Sequence, residues 1–112
     1  MENEDEYRSY SQMQNVYDRL LILGYDQEFV RMVKLPPIHR FYFMCTINPG
    51  EQFFNFVSIC SWLLTKCGKS MEMPNESDDP NLLIARILEH MRNMVDTVTV
   101  FYLNSRKLLH VK

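Results

Sequence analysis

Gly68, Lys69 and Ser70 match the closing residues of a phosphate-binding loop, where backbone N–H groups and a lysine cradle the phosphates of a nucleotide. That motif needs a glycine five positions before Gly68, where Leu63 stands, and it needs a strand before it and a helix after it. Here a helical pattern precedes and an acidic loop follows, so the match carries no chemistry. Glu76, Asp78 and Asp79 offer the hard oxygens that a divalent cation takes, but a cation loop alternates its oxygens around a glycine and closes with a bidentate acid. This loop has neither feature, and Asp79 before Pro80 reads as a helix cap. Cys60 and Cys67 fall two turns apart on one apolar face, too far apart to share a metal, and no Cys-x-x-Cys or histidine pair completes a site. They read as small core residues. His39, His90 and His110 each stand without a Ser or Cys partner motif, and His90 is expected on a polar helix flank facing solvent. Asn75-Glu76-Ser77 forms a glycosylation sequon, a short pattern that acts only in secreted chains and is read as chance. The sequence therefore assigns no catalytic, cofactor-binding or metal-ligating residue and no cofactor, and the chain reads as a non-enzyme.

The elements that hold these residues are legible from their ends. Around the most informative stretch, Asn48 to Gly68, Asn48 suits an N-cap, Pro49 the first helical position and Glu51 the reciprocal place of a capping box, while Gly68 supplies the stop. Phe53, Phe56, Val57, Cys60, Leu63, Leu64 and Cys67 recur between them at helical spacing, with Trp62 widening the stripe; Phe56 and Trp62 are expected to be buried. An earlier helix is expected from a capping box at Ser11 and Gln14, carrying Met13, Val16, Tyr17, Leu20 and Leu21 and stopping at Gly24. A short helical turn from Asp26 to Val33 would point Phe29, Val30 and Val33 inward, and Pro36 and Pro37 end it. The aromatic and β-branched run from His39 to Ile47 reads as extended. After the polar loop KSMEMPNESDDPN, Asp79 and Pro80 open a helix with Leu83, Ile84, Ile87, Leu88, Met91, Met94 and Val95. Residues Thr97 to Leu103 again read as extended.

With 112 residues and 46% hydrophobic content, the chain suits one small domain. Three cysteines form an odd set, no apolar run reaches the ~18 residues of a membrane span, and MENEDEYRSY lacks a basic-then-apolar signal. A reduced, cytosolic-side compartment and no membrane insertion follow. The net charge of −2 is unevenly placed: Glu2, Glu4, Asp5 and Glu6 make the start acidic, and Arg106, Lys107 and Lys112 make the end basic. No dense basic face with interleaved aromatics points to nucleic acid. Residues 1–10 are expected to be an acidic, mobile tail and residues 11–112 the domain.

The segment from Phe41 to Asn81, with its NPGEQFF start, SWLLTKCGK helix end and DDPN, resembles the N-terminal domain of the intraflagellar transport protein fifty-seven family, also called Hippi. LGYDQEFV and RFYF are similar as well, and the resemblance covers roughly residues 13 to 95. It implies an all-α, calponin-homology-like domain of the NN-CH type, followed in the family by a long coiled coil. It also implies a non-enzymatic adaptor that supports cilium assembly by docking to other subunits of intraflagellar transport complex B, on the cytoplasmic side of the cilium or its basal body. A related cytoskeletal function is the alternative: tubulin binding through Lys66, Lys69, Arg106 and Lys107, should these converge. Because this chain stops at LNSRKLLHVK, the domain is expected to be incomplete at its C-terminus and to lack a closing helix. Either an apolar face including Val98, Val100 and Tyr102 is then left open to self-association, or Leu108, Leu109 and Val111 fill part of that place.

Overall fold

Asn48 and Pro49 start the central helix as their residue types require. Asn48 Oδ1 accepts the Glu51 N–H at 3.3 Å, satisfying a donor that a helix start leaves open, and Asn48 O accepts the Gln52 N–H at 2.9 Å as the first bond of the helical ladder. The return bond is made one residue later than the capping box predicts: Gln52 Oε1 accepts the Ile47 N–H at 3.4 Å. At the other end Gly68 takes a left-handed φ of 84°, and Lys69 N–H and Gly68 N–H reach back to the carbonyls of Leu64 and Thr65 at 2.9 and 3.0 Å. This Schellman arrangement needs the one residue type without a Cβ penalty.

The computed structural model describes the backbone of residues 2–110 and the side chains of residues 4–97, 99, 100 and 102–104. Every regular element among them is helical: α1 (Glu2–Ile22), a π-helical turn (Tyr25–Phe29), α2 (Val30–Met32), a 3₁₀ turn (Tyr42–Met44), α3 (Pro49–Lys66) and α4 (Pro80–His110). The all-α class expected from the sequence is therefore observed. The chain forms two compact units, residues 1–59 and residues 60–112, divided inside α3.

In the first unit, α1 begins at Glu2, well before the capping box at Ser11, and Glu4 to Ser9 are exposed on it. Acidic side chains suit a helix N-terminus, where they face the positive end of the helix dipole. Met13 and Leu20 are buried as expected, whereas Val16 is exposed. Gly24 stops α1 with φ 95°, and the chain continues into the π turn. Tyr25 and Phe29 are the largest of the fully buried side chains among the described residues, with their rings stacked at 5.3 Å. Tyr25 Oη accepts the Ile38 N–H at 3.0 Å, and burial, the leading cause, pushes the tyrosine pKa up. Residues 39–47 are not an extended segment: Tyr42–Met44 form a single 3₁₀ turn, with Tyr42 N–H and Met44 N–H bonded to the carbonyls of His39 and Phe41. A turn lets the rings of adjacent Tyr42 and Phe43 meet edge to face at 4.8 Å, which alternating strand positions would not allow, and Phe41 meets Tyr10 of α1 edge to face at 5.1 Å.

In the second unit, Asp79 Oδ1 accepts the Asn81 N–H at 3.0 Å and α4 starts at Pro80, as the cap predicts. Leu83 and Ile87 are buried, and His90 is half-buried beside them rather than facing solvent. Residues 97–103, expected to be extended, are helical. β-branched residues lower helix propensity by only a few tenths of a kcal/mol each, too little to interrupt a hydrogen-bonded ladder already running. The side chains of Val98, Arg106, Lys107, Leu108 and Leu109, and Val111 and Lys112 altogether, lie outside the described residues.

The buried face of α3 is not the face its hydrophobic pattern marks. Val57, Ile59, Trp62 and Leu64 are buried, but Asn55, Ser58 and Ser61 lie among them at 0–1% exposure, and Phe56 is 50% exposed. Small polar residues allow the flanking chain to approach closely, and this turns Phe56 outward. Cys67 is likewise exposed, as is Cys45, while Cys60 is half-buried and burial pushes its thiol pKa up.

Two consequences can be measured. Phe29→Ala should lower stability by about 3–5 kcal/mol, the range for a buried aromatic, whereas Phe56→Ala should cost about 1 kcal/mol or less. Urea midpoints of the two variants check this, and equal losses would contradict the placement of Phe56. The thiolate is the reactive form, so iodoacetamide at neutral pH should modify Cys45 and Cys67 well before Cys60, and Cys60 should catch up only as the pH rises. Peptide mass spectrometry against time reads the order.

Candidate functional site

The start of α3 carries a groove built mostly from apolar surface. Phe43, Thr46, Pro49, Gln52, Phe53 and Phe56 line an open cleft of about 260 Å³. Gln52 holds its floor in place: besides the bond at Ile47, its Nε2 donates to Tyr42 O at 3.0 Å and to Cys45 O at 2.7 Å. One side chain thus ties the 3₁₀ turn and the following loop to the first turn of α3. Phe43 and Phe56 meet edge to face at 5.9 Å across the rim, and Ile47 stands exposed beside them. An open apolar cleft without convergent charged or titratable groups suits contact with another protein surface rather than chemistry on a small molecule.

The residues singled out for chemistry do not come together in such a way. Gly68 closes α3, Lys69 follows as part of that C-cap, and Ser70 is exposed in the loop. Asp78 Oδ2 accepts the Asn75 N–H at 2.9 Å and Asp79 caps α4, so both aspartates serve turn geometry. Among the described residues no group of three or more His, Cys, Asp or Glu side chains could hold a metal ion, and no helix is long and apolar enough to cross a membrane. His39 lies in unit one, where its Nδ1 accepts the Phe41 N–H at 3.2 Å and its ring meets Tyr42 at 5.9 Å. Of the basic residues considered for an acidic surface, Lys66 places its ammonium 5.0 Å from the centre of the Trp62 ring, and the side chains of Arg106 and Lys107 lie outside the described residues.

Sequence reasoning missed the groove because it placed Phe56 in the core. The available signal was the Asn55, Ser58, Ser61 spacing, a polar stripe on the opposite side of the same helix that has the same 3-residue step.

The family model described as Intra-flagellar transport protein 57 matches residues 13–108. The chain is 43% identical over 94 residues to the Intraflagellar transport protein 57 homolog of Drosophila melanogaster, covering 80% of this chain and 23% of that protein. It is 39% identical over 87 residues to the Homo sapiens homolog, covering 78% and 20%, and 40% identical over 90 residues to Intraflagellar transport protein che-13 of Caenorhabditis elegans, covering 79% and 22%. The matched region spans about a fifth of the length of these relatives. No solved structure matches. With most of its helical core inside the matched region, the chain belongs to the Intra-flagellar transport protein 57 family.

Proposed function

We propose that this chain is a non-enzymatic docking domain that joins a subunit of intraflagellar transport complex B to its neighbours, and so supports cilium assembly. Its fold in this reading is calponin-homology-like, of the NN-CH type, with residues 11–112 as the domain and the acidic residues 1–10 ahead of it. It acts at the cilium and basal body, on the cytoplasmic side. The observation that carries the reading is family membership over residues 13–108. The aromatic groove at the start of α3 supports it physically, since exposed Phe43 and Phe56 offer the rigid apolar surface that protein contacts use. Tubulin binding is the weaker reading, because Lys66 is engaged over the Trp62 ring and the sequence carries no dense basic run.

The two readings separate by salt. Contacts between exposed charges fade as the screening length falls from about 10 Å at 0.1 M to about 3 Å at 1 M, while apolar docking persists. The tagged chain, expressed in ciliated cells, should co-purify with complex B subunits in high-salt buffer, and Lys66→Glu with Lys69→Glu should leave that intact. Co-purification lost in those variants, together with salt-sensitive co-sedimentation with microtubules, would overturn the docking reading in favour of tubulin.

A further inference from the structure

Residues 42–47 form a strap beside the first turn of α3 and supply Phe43 and Thr46 to the groove, while the helix supplies Pro49, Gln52, Phe53 and Phe56. Little apolar burial holds the strap. Phe43, Cys45, Thr46 and Ile47 are exposed, and only Tyr42 and Met44 are half-buried. Its hydrogen bonds to α3 all come, among the described residues, from one side chain: Gln52 Nε2 donates to Tyr42 O and Cys45 O, and Gln52 Oε1 accepts the Ile47 N–H. The Tyr42 and Met44 N–H groups bond instead to His39 O and Phe41 O, outside the helix. The three bonds select the residue type. A primary amide carries two donors and an acceptor on one planar group, whereas ionised Glu has acceptors alone and Lys donors alone.

One group works against closure. Tyr42 Oη is buried with no partner among the described residues, and a hydroxyl held away from both water and protein acceptors favours a movement that returns it to solvent. The closed strap is therefore a balance between the Gln52 amide and the Tyr42 hydroxyl. Phe43 stands on the strap and Phe56 on the helix, and their edge-to-face contact at 5.9 Å joins the two walls of the groove, so the groove exists only while the strap is closed. We propose that Gln52 is a latch: residues 42–47 open from α3 and close on it as one unit, and the Gln52 amide sets whether the aromatic groove is formed. The proposal concerns how the groove is made, and it holds whether or not complex B uses that surface.

Gln52→Glu in the whole 112-residue chain tests it, because the side chain keeps its size and its acceptor for the Ile47 N–H while both donors become lone pairs facing carbonyls. Were the three bonds independent, the Ile47 amide would stay as protected as in the parent. As one latch, exchange should accelerate by about tenfold or more both at Ile47 and at Met44, whose own acceptor Phe41 O is untouched. The nuclear Overhauser contacts between the Phe43 and Phe56 rings should vanish, while amides near Ile87 in α4 exchange as before. Those contacts should return as the pH falls and the new carboxyl protonates, since the neutral acid regains a donor, and for the same reason its pKa should lie above the ordinary ~4.3. Gln52→Met, which removes donors and acceptor without adding charge, should open the strap at every pH. Tyr42→Phe removes the opposing hydroxyl and should slow Met44 exchange by about threefold or more. Unchanged Met44 exchange and ring contacts in both Gln52 variants overturn the proposal, because packing alone would then hold the strap. Faster Met44 exchange in Tyr42→Phe also overturns it. So does loss of protection near Ile87 in both Gln52 variants, since Gln52 would then hold far more than the strap.

Discussion

The structure depends on a row of buried polar side chains along α3 that bind carbonyls of non-helical chain. Asn55 Nδ2 donates to Pro36 O at 3.0 Å, and Ser61 Oγ lies 3.2 Å from both Met71 O and Glu72 O. Pro36, Met71 and Glu72 lie in segments without a helical ladder, where backbone carbonyls have no regular partner and burying them unpaired costs about 1–3 kcal/mol each. Within the first unit, the Asn55 bond sets the stretch that ends at Ile38, whose N–H is in turn held by buried Tyr25. Within the second, the Ser61 bonds set the loop that brings Met71 and Pro74 into the interior. Asn55 Oδ1 is itself buried with no partner among the described residues, so the gain from Asn55 is positional more than energetic.

The exposed apolar surface follows from that constraint. A helix has only so much circumference, and giving its inner side to Asn55, Ser58 and Ser61 moves Phe53 and Phe56 toward the rim, where with Phe43 they make the groove. The same logic holds in α4, where Leu83 and Ile87 suffice for the core and a second apolar stripe is left facing water. Neither helix is amphipathic in the simple sense of one apolar and one polar side. Both present apolar surface outward, the kind of surface that contacts with other proteins use.

Element ends were legible in the sequence because they depend on local chemistry. Asn48, Pro49, Gly68, Asp79 and Pro80 each act through bonds or dihedral limits within a few residues, and each stands where its type predicts. Element interiors were less legible where tertiary contacts decide. The burial of Ser58 and Ser61 depends on chain ten or more residues away in sequence, as the Ser61–Met71 bond illustrates, and hydrophobic periodicity carries no record of such partners. The aromatic run after Pro37 and the β-branched run after Asp96 both have strand-like composition, but a strand needs a second strand to pair with, and none exists among the described residues. The groove was missed for the same reason as Phe56: an aromatic residue on a helix was assigned to the core, when a polar neighbour had already taken that place.

The amide of Ile38 gives the most direct test of the α3 constraint. It is buried, bonded to Tyr25 Oη, and two residues from the carbonyl that Asn55 holds. In Asn55→Leu, which keeps the volume and removes the donor, hydrogen exchange at Ile38 should accelerate by about tenfold, the effect of losing a bond worth about 1–1.5 kcal/mol, while amides in the middle of α4 exchange as before. Unchanged exchange at Ile38 in a folded Asn55→Leu chain would contradict the account, because the segment would then be held by packing alone.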